Sequence, residues 1–488
     1  MRFPLPQKDS DGNYKTGIMK RLGELINYPK LNDGQVPLKS TLIDYYYKAR
    51  AGGSFLYFNN ERYQVSDTSH PPDFRAREMG VESEYVAVGV EKIVDDVVEP
   101  FSRMLINDLE KQVHKGMTAY SLRAYMSFKY IPSVSLELPP MHLATSVINW
   151  CETFDNSTGS YDRGLTEAVL ESLAFAKAGS EIIGDVEWKC FKGGSHVLID
   201  YMTNYITANG NNDLIKFNKS VTSISQGGED TMEVSVRGGP SRTYSHVIST
   251  IPLPCLRTID LSGAGLNVMQ KNALRKLQYG PSIKVGVRFQ SAWWTDRFGI
   301  VGGQSFTDLP IRTIVYPSYG VDSASPSTVL IASYCWTNDA ERLGALIGTE
   351  VHNITYSFLS DQYLDIYAWD WNYDPLTMGA FAYFGPGDFQ DLYTALSVPN
   401  ANKRFHFAGE AISTRHAWVV YEYLLASGQP QTTIEKFFNL WGKNIEWVGP
   451  SSWYVDEGRS TEDPNTNTML RVHMACTYAG ETSGEVKF

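Results

Sequence analysis

The sequence predicts an α/β protein, more closely α+β, in which helices and strands occupy separate stretches of the chain. Apolar residues recur with helical spacing from about residue 84 to 175, and with the two-residue spacing of strands between about 186 and 260. Segments typical of strands return after residue 280. At about 150 residues per domain, 488 residues correspond to roughly three domain-sized units. We therefore expect a helical lobe and two sheet lobes, interleaved as discontinuous domains.

Composition and charge narrow the class of protein. The chain has 43 Lys and Arg residues against 54 Asp and Glu residues, a formal charge of −11. An acidic chain lacks the positive surface that attracts nucleic acids and anionic lipids, so neither partner is expected. The hydrophobic content of 43% supports a large core, and no run reaches the ~18 apolar residues of a membrane span. A soluble enzyme is the default expectation.

The cysteines and the first residues bear on metal binding and location. The five cysteines lie far apart without a CxxC pair: Cys151, Cys190, Cys255, Cys335 and Cys476. This spacing favours neither a disulfide framework nor a zinc site, so no metal is expected. Residues 1–9 lack the apolar region of a signal peptide. We therefore expect a cytoplasmic protein.

The first 175 residues predict a helix, a hairpin and a helical lobe. One stripe with helical spacing is formed by Ile18, Met19, Leu22, Leu25 and Ile26. Residues 54–63 are typical of a β-hairpin that turns at Asn59-Asn60. From about residue 84 the pattern is mostly helical, with breaks around Pro132 and at Pro139-Pro140.

The remaining chain predicts strands. They cover residues 221–225, 232–236, 245–251, 283–289, 327–334 and 404–408. The first two pair across the turn at 227–230, and the third ends at Pro252. The last thirty-odd residues are polar, and we expect them to be loosely ordered.

The segment after the last predicted strand carries specific chemistry. The strand ends at Gly409 and Glu410, which lead into a predicted helix. A glycine lets a ligand approach the backbone, a carboxylate accepts a hydrogen bond from a polyol hydroxyl, and a helix N-terminus favours an anion. An isolated Gly-Glu pair is also compatible with an ordinary turn and a solvated Glu. The other motifs of the chain decide between the two interpretations.

Seven short motifs, the Gly409-Glu410 turn among them, occur in order along nearly the whole chain: Met1-Arg2-Phe3-Pro4, Trp188 with Gly193-Gly194, Thr250-Ile251-Pro252-Leu253, Tyr279-Gly280-Pro281-Ser282-Ile283-Lys284, Gly379-Ala380-Phe381-Ala382, Gly385-Pro386-Gly387 and Phe407-Ala408-Gly409-Glu410. By their order and spacing the sequence resembles the flavin-dependent amine oxidase superfamily, and within it the L-amino-acid oxidase group of fungal and bacterial type. The resemblance implies an FAD-binding lobe, incomplete here, interleaved with a mixed-sheet substrate domain and a helical domain.

The resemblance also implies domain boundaries. We expect the substrate domain to begin in residues 1–70, followed by a helical domain at 71–182, part of the FAD-binding lobe at 183–278, the substrate-binding domain at 279–400, the C-terminal part of the FAD-binding lobe at 401–448 and a polar tail at 449–488.

Residue roles at the substrate follow from the same resemblance. Arg2 matches the arginine that grips the substrate carboxylate, and a guanidinium fork suits that task. Tyr334 matches a tyrosine that donates to the same carboxylate. Ala417 and Trp418 match the helix start that faces the substrate α-carbon, with Trp418 as a catalytic wall. By position alone, Arg2 would instead lie in a solvated terminus, and Tyr334 is equally compatible with a buried strand tyrosine.

Roles at the cofactor are implied in the same way. Lys284 matches the catalytic lysine that holds a water against the flavin N5 and assists reoxidation by oxygen. Without the resemblance, a lysine among apolar strand residues is more often an edge residue that extends to water. The residues expected to contact FAD are Val221 at the adenine, Gly409 and Glu410 at the ribityl chain, and Val419.

Two departures from the family pattern qualify these expectations. The dinucleotide fingerprint G-x-G-x-x-G, which places a pyrophosphate on a helix N-terminus, does not occur in the 488 residues. Val420 is also followed directly by Tyr421, where the family usually has about ten more helical residues. We therefore expect the N-terminal dinucleotide-binding segment to be lacking, and the activity of this chain to be impaired.

The implied function is FAD-dependent oxidative deamination of an L-amino acid to a 2-oxo acid, ammonia and hydrogen peroxide. The expected partners are a small amino acid or amine and oxygen, and a homodimer is a possible assembly. The alternatives are an amino-acid 2-monooxygenase or amine oxidase on the same fold, and a non-catalytic remnant.

Overall fold

The computed structural model describes residues 2–412, except for residues 13, 15–18, 66–71, 108–118, 156, 173–185, 209–213, 321–325, 348–356, 389–391, 393 and 397. The structure combines helices with mixed sheets, which confirms the predicted α/β class. Helices follow one another from α2 to α6, whereas elsewhere they lie between strands of the chain.

The strands that the structure describes are β1 (Phe3–Pro6), β2 (Leu42–Asp44), β3 (Phe55–Phe58), β4 (Glu61–Gln64), β5 (Val186–Phe191), β6 (Val221–Gly228), β7 (Thr231–Val236), β8 (Arg242–Tyr244), β9 (Val247–Ser249), β10 (Gln278–Gly280), β11 (Ser282–Phe289), β12 (Gln304–Thr307), β13 (Thr313–Val315), β14 (Val329–Trp336), β15 (Tyr363–Asp370), β16 (Phe381–Tyr383) and β17 (Phe405–Phe407). The helices are α1 (Lys20–Ile26), α2 (Ser83–Val88), α3 (Val90–Asn107), α4 (Leu122–Phe128), α5 (Thr145–Thr153), α6 (Leu165–Glu171), α7 (His196–Thr207), α8 (Leu253–Leu256), α9 (Val268–Lys276), α10 (Trp293–Phe298), α11 (Thr337–Gly344), α12 (Ser357–Gln362) and α13 (Thr394–Leu396).

Helices α2 to α6 form the predicted helical lobe. The apolar stripe of α3 faces the core, where Val97 and Val98 are buried. Helix α4 begins at Ser121, whose hydroxyl accepts a hydrogen bond from the Ala124 N–H at 3.1 Å and satisfies one free donor of the first turn. Between α4 and α5 the chain forms only a short 3-10 helix, at residues 134–136, so the helix breaks predicted at the prolines are confirmed.

A seven-stranded sheet with the order β15-β11-β14-β13-β12-β3-β4 carries the candidate site. The hairpin β3–β4 turns at Asn59 and Asn60 as predicted, and both residues have positive φ, the backbone conformation that a two-residue hairpin turn needs. Strand β11 lies inside the sheet, between β14 and β15. Its residues are therefore held by hydrogen-bonded strands on both sides.

The first strand is fixed in a three-stranded antiparallel sheet with the order β1-β5-β2. Phe3 and Leu5 are fully buried against Phe191, and the rings of Phe3 and Phe191 lie 5.3 Å apart. This packing holds the chain at residues 3–6 and with it the position of Arg2. It also joins residues 1–70 to residues 183–278, which the sequence assigned to different domains. Those domain boundaries stay a prediction.

Two further sheets lie on the main core. Strands β6, β7 and β8 form an antiparallel meander, and the predicted pairing of residues 221–225 with 232–236 is confirmed. Strands β9 and β17 form a parallel pair. In this pair Ile248 keeps 66% of its side chain exposed, which is unusual because parallel strands are normally covered on both faces. Among the described helices, none combines the length and hydropathy needed to cross a membrane.

Candidate active site

Lys284 lies on one face of the seven-stranded sheet. Alternation along β11 sends Ile283 to the opposite face, where it is fully buried with Cys335. Lys284 is paired across the strands with Tyr334 on β14 and Trp369 on β15, and its Nζ lies 4.8 Å from the centre of the Tyr334 ring. Lys284 is therefore not an edge residue, and the structure brings it together with Tyr334.

Arg2 reaches the same region from the three-stranded sheet. Its guanidinium carbon lies 5.7 Å from the ring centre of Tyr45 and 5.2 Å from that of Tyr47, and the Tyr47 ring stacks on Trp188 at 5.1 Å. Such cation–π contacts hold the flat guanidinium in place. Arg2 is half-buried, so the alternative of a solvated terminus is wrong.

The tyrosines that hold Arg2 belong to a segment anchored on both sheets. Tyr45 N–H donates to the Trp188 carbonyl at 2.9 Å, and Tyr46 N–H donates to the Ser318 hydroxyl at 3.0 Å. The Tyr46 carbonyl accepts a hydrogen bond from the Gly303 N–H at 2.9 Å. The segment thus connects the sheet that carries Arg2 to the sheet that carries Lys284.

The electrostatics of the site are those of two neighbouring cations. Burial lowers the pKa of Lys284, and the positive charge of Arg2 lowers it further. Burial raises the pKa of Tyr334, while Arg2 opposes that rise. Among the residues that the structure describes, no carboxylate forms an ion pair with Arg2 or Lys284. The site therefore carries positive charge without a matching anion from the described part of the chain.

Several buried donors of this region lack an acceptor. Within the described residues, hydrogen-bond partners are missing for Arg2 Nε, Tyr45 Oη and Trp336 Nε1. Trp336 packs edge-on against Tyr334 and Phe381, with ring centres 5.6 Å away in both cases. A buried donor without a partner costs free energy, so such donors mark a place for an acceptor that the described residues do not supply.

Sequence reasoning missed Tyr45, Tyr47 and Trp336. The signal for the first two was the run of three consecutive tyrosines, Tyr45-Tyr46-Tyr47. Trp336 lies two residues after Tyr334 in a strand, and the two-residue period places both on one face. Two further aromatic residues lie near the site: Trp371 contacts Trp369, and Phe381 contacts Trp336.

The parallel pair β9–β17 offers a place for the polyol end of FAD. Gly409 follows β17 with φ +128°, and among the described residues a Cβ there would meet only the Thr250 carbonyl oxygen, at 3.8 Å. The described residues thus leave space above the carboxyl ends of both strands. Glu410 Oε2 accepts a hydrogen bond from the Ala382 N–H at 3.2 Å, which fixes the carboxylate beside this space. Open backbone and a held carboxylate fit a ribityl chain.

The other cofactor expectations fall partly outside these residues. Val221 is the first residue of β6 and half-buried at the main core. Ala417, Trp418 and Val419 lie outside the described residues. In the part of the chain that the structure describes, no glycine-rich turn joins a strand to a helix beside β9 and β17.

Comparison with known proteins places this geometry in a family. The sequence profile described as "Flavin containing amine oxidoreductase" matches residues 140–426. L-amino-acid oxidase 4 of Hebeloma cylindrosporum is 48% identical over 522 aligned positions, which cover 98% of this chain and 80% of that protein. An L-amino-acid oxidase of Siganus canaliculatus is 35% identical over 162 positions, covering 32% of this chain and 30% of that protein.

Solved structures show the same fold at low sequence identity. A double mutant of putrescine oxidase superposes with a TM-score of 0.57 at 14% identity, covering 87% of this chain and 90% of that chain. Cyclohexylamine oxidase from Brevibacterium oxydans superposes with a TM-score of 0.58 at 14% identity, covering 86% of both chains. The chain belongs to the flavin-containing amine oxidoreductases, and its cofactor is FAD.

Proposed function

We propose that this protein oxidises the α-carbon of an L-amino acid, giving a 2-oxo acid, ammonia and hydrogen peroxide. FAD, when bound, supplies the hydride acceptor and passes the electrons to oxygen. The names of the relatives support an L-amino acid as the substrate. The observation that carries the proposal is the pair of cations, Arg2 and Lys284, without a carboxylate partner among the described residues.

The charge of the site favours a substrate with a carboxylate. A guanidinium can bind both oxygens of one carboxylate, and charge-assisted hydrogen bonds are the strong ones. The Nε of Arg2 and the hydroxyl of Tyr45, for which the described residues supply no well-aligned acceptor, offer donors for these oxygens. An amine without a carboxylate would leave both donors unpaired and would add a third positive charge. The site therefore disfavours simple amines.

The chain's own residues bind and orient the substrate in this proposal. Arg2 binds the substrate carboxylate, and the rings of Tyr45 and Tyr47 hold the Arg2 guanidinium in place. Tyr334 stays neutral because burial raises its pKa, so its hydroxyl remains a donor. Lys284 holds a proton at Nζ, on the same face of the sheet on which the α-carbon of the substrate would lie. Restricting the substrate to one pose supplies much of the rate gain of such reactions.

The test is a product assay on the full chain with added FAD. We expect hydrogen peroxide and the matching 2-oxo acid from members of a panel of L-amino acids, and little peroxide from putrescine or D-amino acids. A carboxamide product instead of a 2-oxo acid would identify a monooxygenase. Turnover of putrescine equal to that of the best amino acid would identify an amine oxidase and overturn the proposal. Absence of any product with FAD bound would identify a non-catalytic protein.

A further inference from the structure

A buried polar cluster joins the helical lobe to the strand that carries Tyr334. Asp339, 5% exposed, accepts hydrogen bonds from the Thr158 N–H at 2.7 Å and the Thr158 hydroxyl at 3.1 Å. The same carboxylate forms an ion pair with Arg312 Nε at 3.5 Å, and Arg312 is 3% exposed. At the surface, Arg342 Nη1 forms a second ion pair with Asp339 Oδ1 at 3.6 Å. We call Thr158, Arg312, Thr337 and Asp339 the interlobe clamp.

The clamp grips the helical lobe at the loop that follows α5. Arg312 donates to the carbonyls of Thr153 at 3.3 Å and Asp155 at 2.5 Å. Thr337 donates its hydroxyl proton to the Thr158 carbonyl at 2.6 Å. The lobe and the sheet are thus tied by charge-assisted hydrogen bonds in a water-poor place, where such bonds define one geometry.

Two residues of the clamp hold an unfavourable backbone conformation. Arg312 has φ +52° and Thr337 has φ +48°, and positive φ is a genuine outlier for a β-branched residue such as threonine. Conformations of this kind persist only where the surroundings determine them, and they cluster at functional sites. The side-chain bonds of the clamp provide that determination.

Both strained residues adjoin Tyr334. Arg312 forms a β-bridge with Tyr334, and the next residue, Thr313, is the Tyr334 partner in the pairing of β13 with β14. Thr337 follows β14 directly, and its N–H donates to the Pro281 carbonyl at 3.1 Å, at the start of β11. The clamp therefore fixes the backbone on both sides of Tyr334.

We infer that Asp339 is a positioning residue, which holds Tyr334 at the substrate carboxylate by locking Arg312 and Thr337 against the Thr158 loop. The inference rests on the proposed function. According to this inference, the contact between the helical lobe and the sheet contributes to substrate binding. Loosening the clamp should weaken carboxylate binding and leave the chemical step nearly unchanged.

The test compares variants of the full chain loaded with FAD, using benzoate as a carboxylate probe. We expect Asp339→Asn to raise the Kd of benzoate and the KM of the best amino acid by at least fivefold, with kcat within twofold. Thr158→Val, which loses only the hydroxyl donor, should raise both about threefold. Thr158→Ser keeps that donor and should behave as wild type. Thr158→Val stays decisive if Asp339→Asn does not fold.

Asp96→Asn is the matched control, because Asp96 accepts from the Tyr130 hydroxyl at 2.6 Å and the Ser133 N–H at 2.9 Å within the helical lobe. Asp96→Asn should not change the Kd of benzoate, even if it lowers the melting temperature as much as Asp339→Asn does. Amide hydrogen exchange over residues 331–337 should rise in Asp339→Asn and Thr158→Val only.

Two outcomes would overturn the inference and differ in cause. If wild type binds benzoate and forms peroxide, but Asp339→Asn and Thr158→Val bind benzoate equally well, the clamp is structural only. If FAD-loaded wild type neither binds benzoate nor forms peroxide, the proposed function fails and the positioning role fails with it.

Discussion

At the level of single residues, the proposed carboxylate site depends on the shape of one guanidinium, that of Arg2. Arg2 is held by two tyrosine rings, and the described residues supply no hydrogen-bond acceptor for its Nε. A lysine at this position would keep the charge but lose the flat fork and its stacking. The charge alone therefore does not explain why an arginine is placed there.

Arg2→Lys is expected to raise the KM for amino acids at least tenfold. A charge-assisted hydrogen bond contributes about 1.5–3 kcal/mol, and about 1.4 kcal/mol corresponds to a factor of ten. Steady-state peroxide assays with added FAD measure the effect. Arg62→Lys is the control, since Arg62 also lies over an aromatic ring, that of Phe55 at 5.9 Å, but is exposed. An unchanged KM in Arg2→Lys would remove Arg2 from the substrate site.

Lys284→Met is expected to slow the oxygen-dependent half-reaction more than the amino-acid-dependent one. The variant keeps the length of the side chain and loses the proton that Nζ holds on this face of the sheet. Stopped-flow absorbance separates the two half-reactions. Lys129→Met is the matched control, because Lys129 Nζ lies 5.8 Å from the Tyr120 ring at the surface of the helical lobe. Equal slowing of both half-reactions would contradict the role.

The lowered pKa of Lys284 predicts a pH dependence of carboxylate binding. Benzoate affinity should be constant while Lys284 is protonated, and should fall as the pH rises through a pKa below the ordinary 10.5. Tyr45 and Tyr334 stay neutral in this range because burial raises the pKa of both. Calorimetric titrations from pH 7 upward measure the step, which should vanish in Lys284→Met. A step that persists in the variant would assign it to another group.

The same shift bears on stability. Because the folded-state pKa of Lys284 lies below the unfolded value, the unfolded chain binds the proton more tightly, and the ammonium destabilises the fold at neutral pH. This cost is complete below the folded pKa and disappears as the pH approaches 10.5. Thermal unfolding of Lys284→Met should show a melting temperature at pH 7 no lower than that of wild type.

At the level of elements, strands were predictable where apolar and polar residues alternate along the sequence. The hairpin β3–β4 and the pair β6–β7 follow from turn residues and alternation, both of which are local signals. The pairing of β1 with β5 joins residues that lie 180 to 186 positions apart, and no local signal encodes it. Sequence reasoning could therefore name Arg2 through a family resemblance, but could not place it beside Tyr45 and Tyr47.

The turn after β17 predicts the effect of a single methyl group. Gly409 has φ +128°, a conformation that costs a residue with a side chain about 1–3 kcal/mol. Gly409→Ala should therefore weaken FAD binding by roughly 5- to 150-fold, because the turn must change or carry strain. Titration of FAD by flavin fluorescence measures the Kd. Gly238→Ala, at φ +67° in the exposed turn between β7 and β8, is the control and should leave the Kd unchanged.

At the level of the whole molecule, the order of a helical stretch and several strand stretches was enough to predict the fold class. Which strands share a sheet was not, because the seven-stranded sheet combines strands from residues 55–64 with strands from residues 282–370. The candidate site lies where these distant segments meet. Lys284 and Tyr334 are neighbours only through the register of β11 and β14, which packing of the whole sheet determines.

The proposed FAD contacts at β9 and β17 predict how tightly the cofactor is held. Gly409 and Glu410, beside the parallel pair β9–β17, are the proposed contacts of the ribityl chain, yet the 488 residues contain no G-x-G-x-x-G fingerprint to receive the two phosphate charges. The exposed Ile248 indicates that one face of this pair is open. Losing two or three charge-assisted hydrogen bonds costs about 3–9 kcal/mol, enough to change a nanomolar site into one of roughly micromolar affinity or weaker.

We therefore expect residues 1–488, expressed and purified without added FAD, to contain far less than one flavin per chain and to form little peroxide. Saturating FAD should restore the flavin content, because the residues proposed to contact the ribityl chain and the substrate lie among the described residues. The ratio of flavin absorbance at 450 nm to protein concentration, before and after dialysis against FAD, measures both states. A one-to-one ratio straight after purification, with peroxide formed from an L-amino acid, would show that other residues of the chain hold the pyrophosphate.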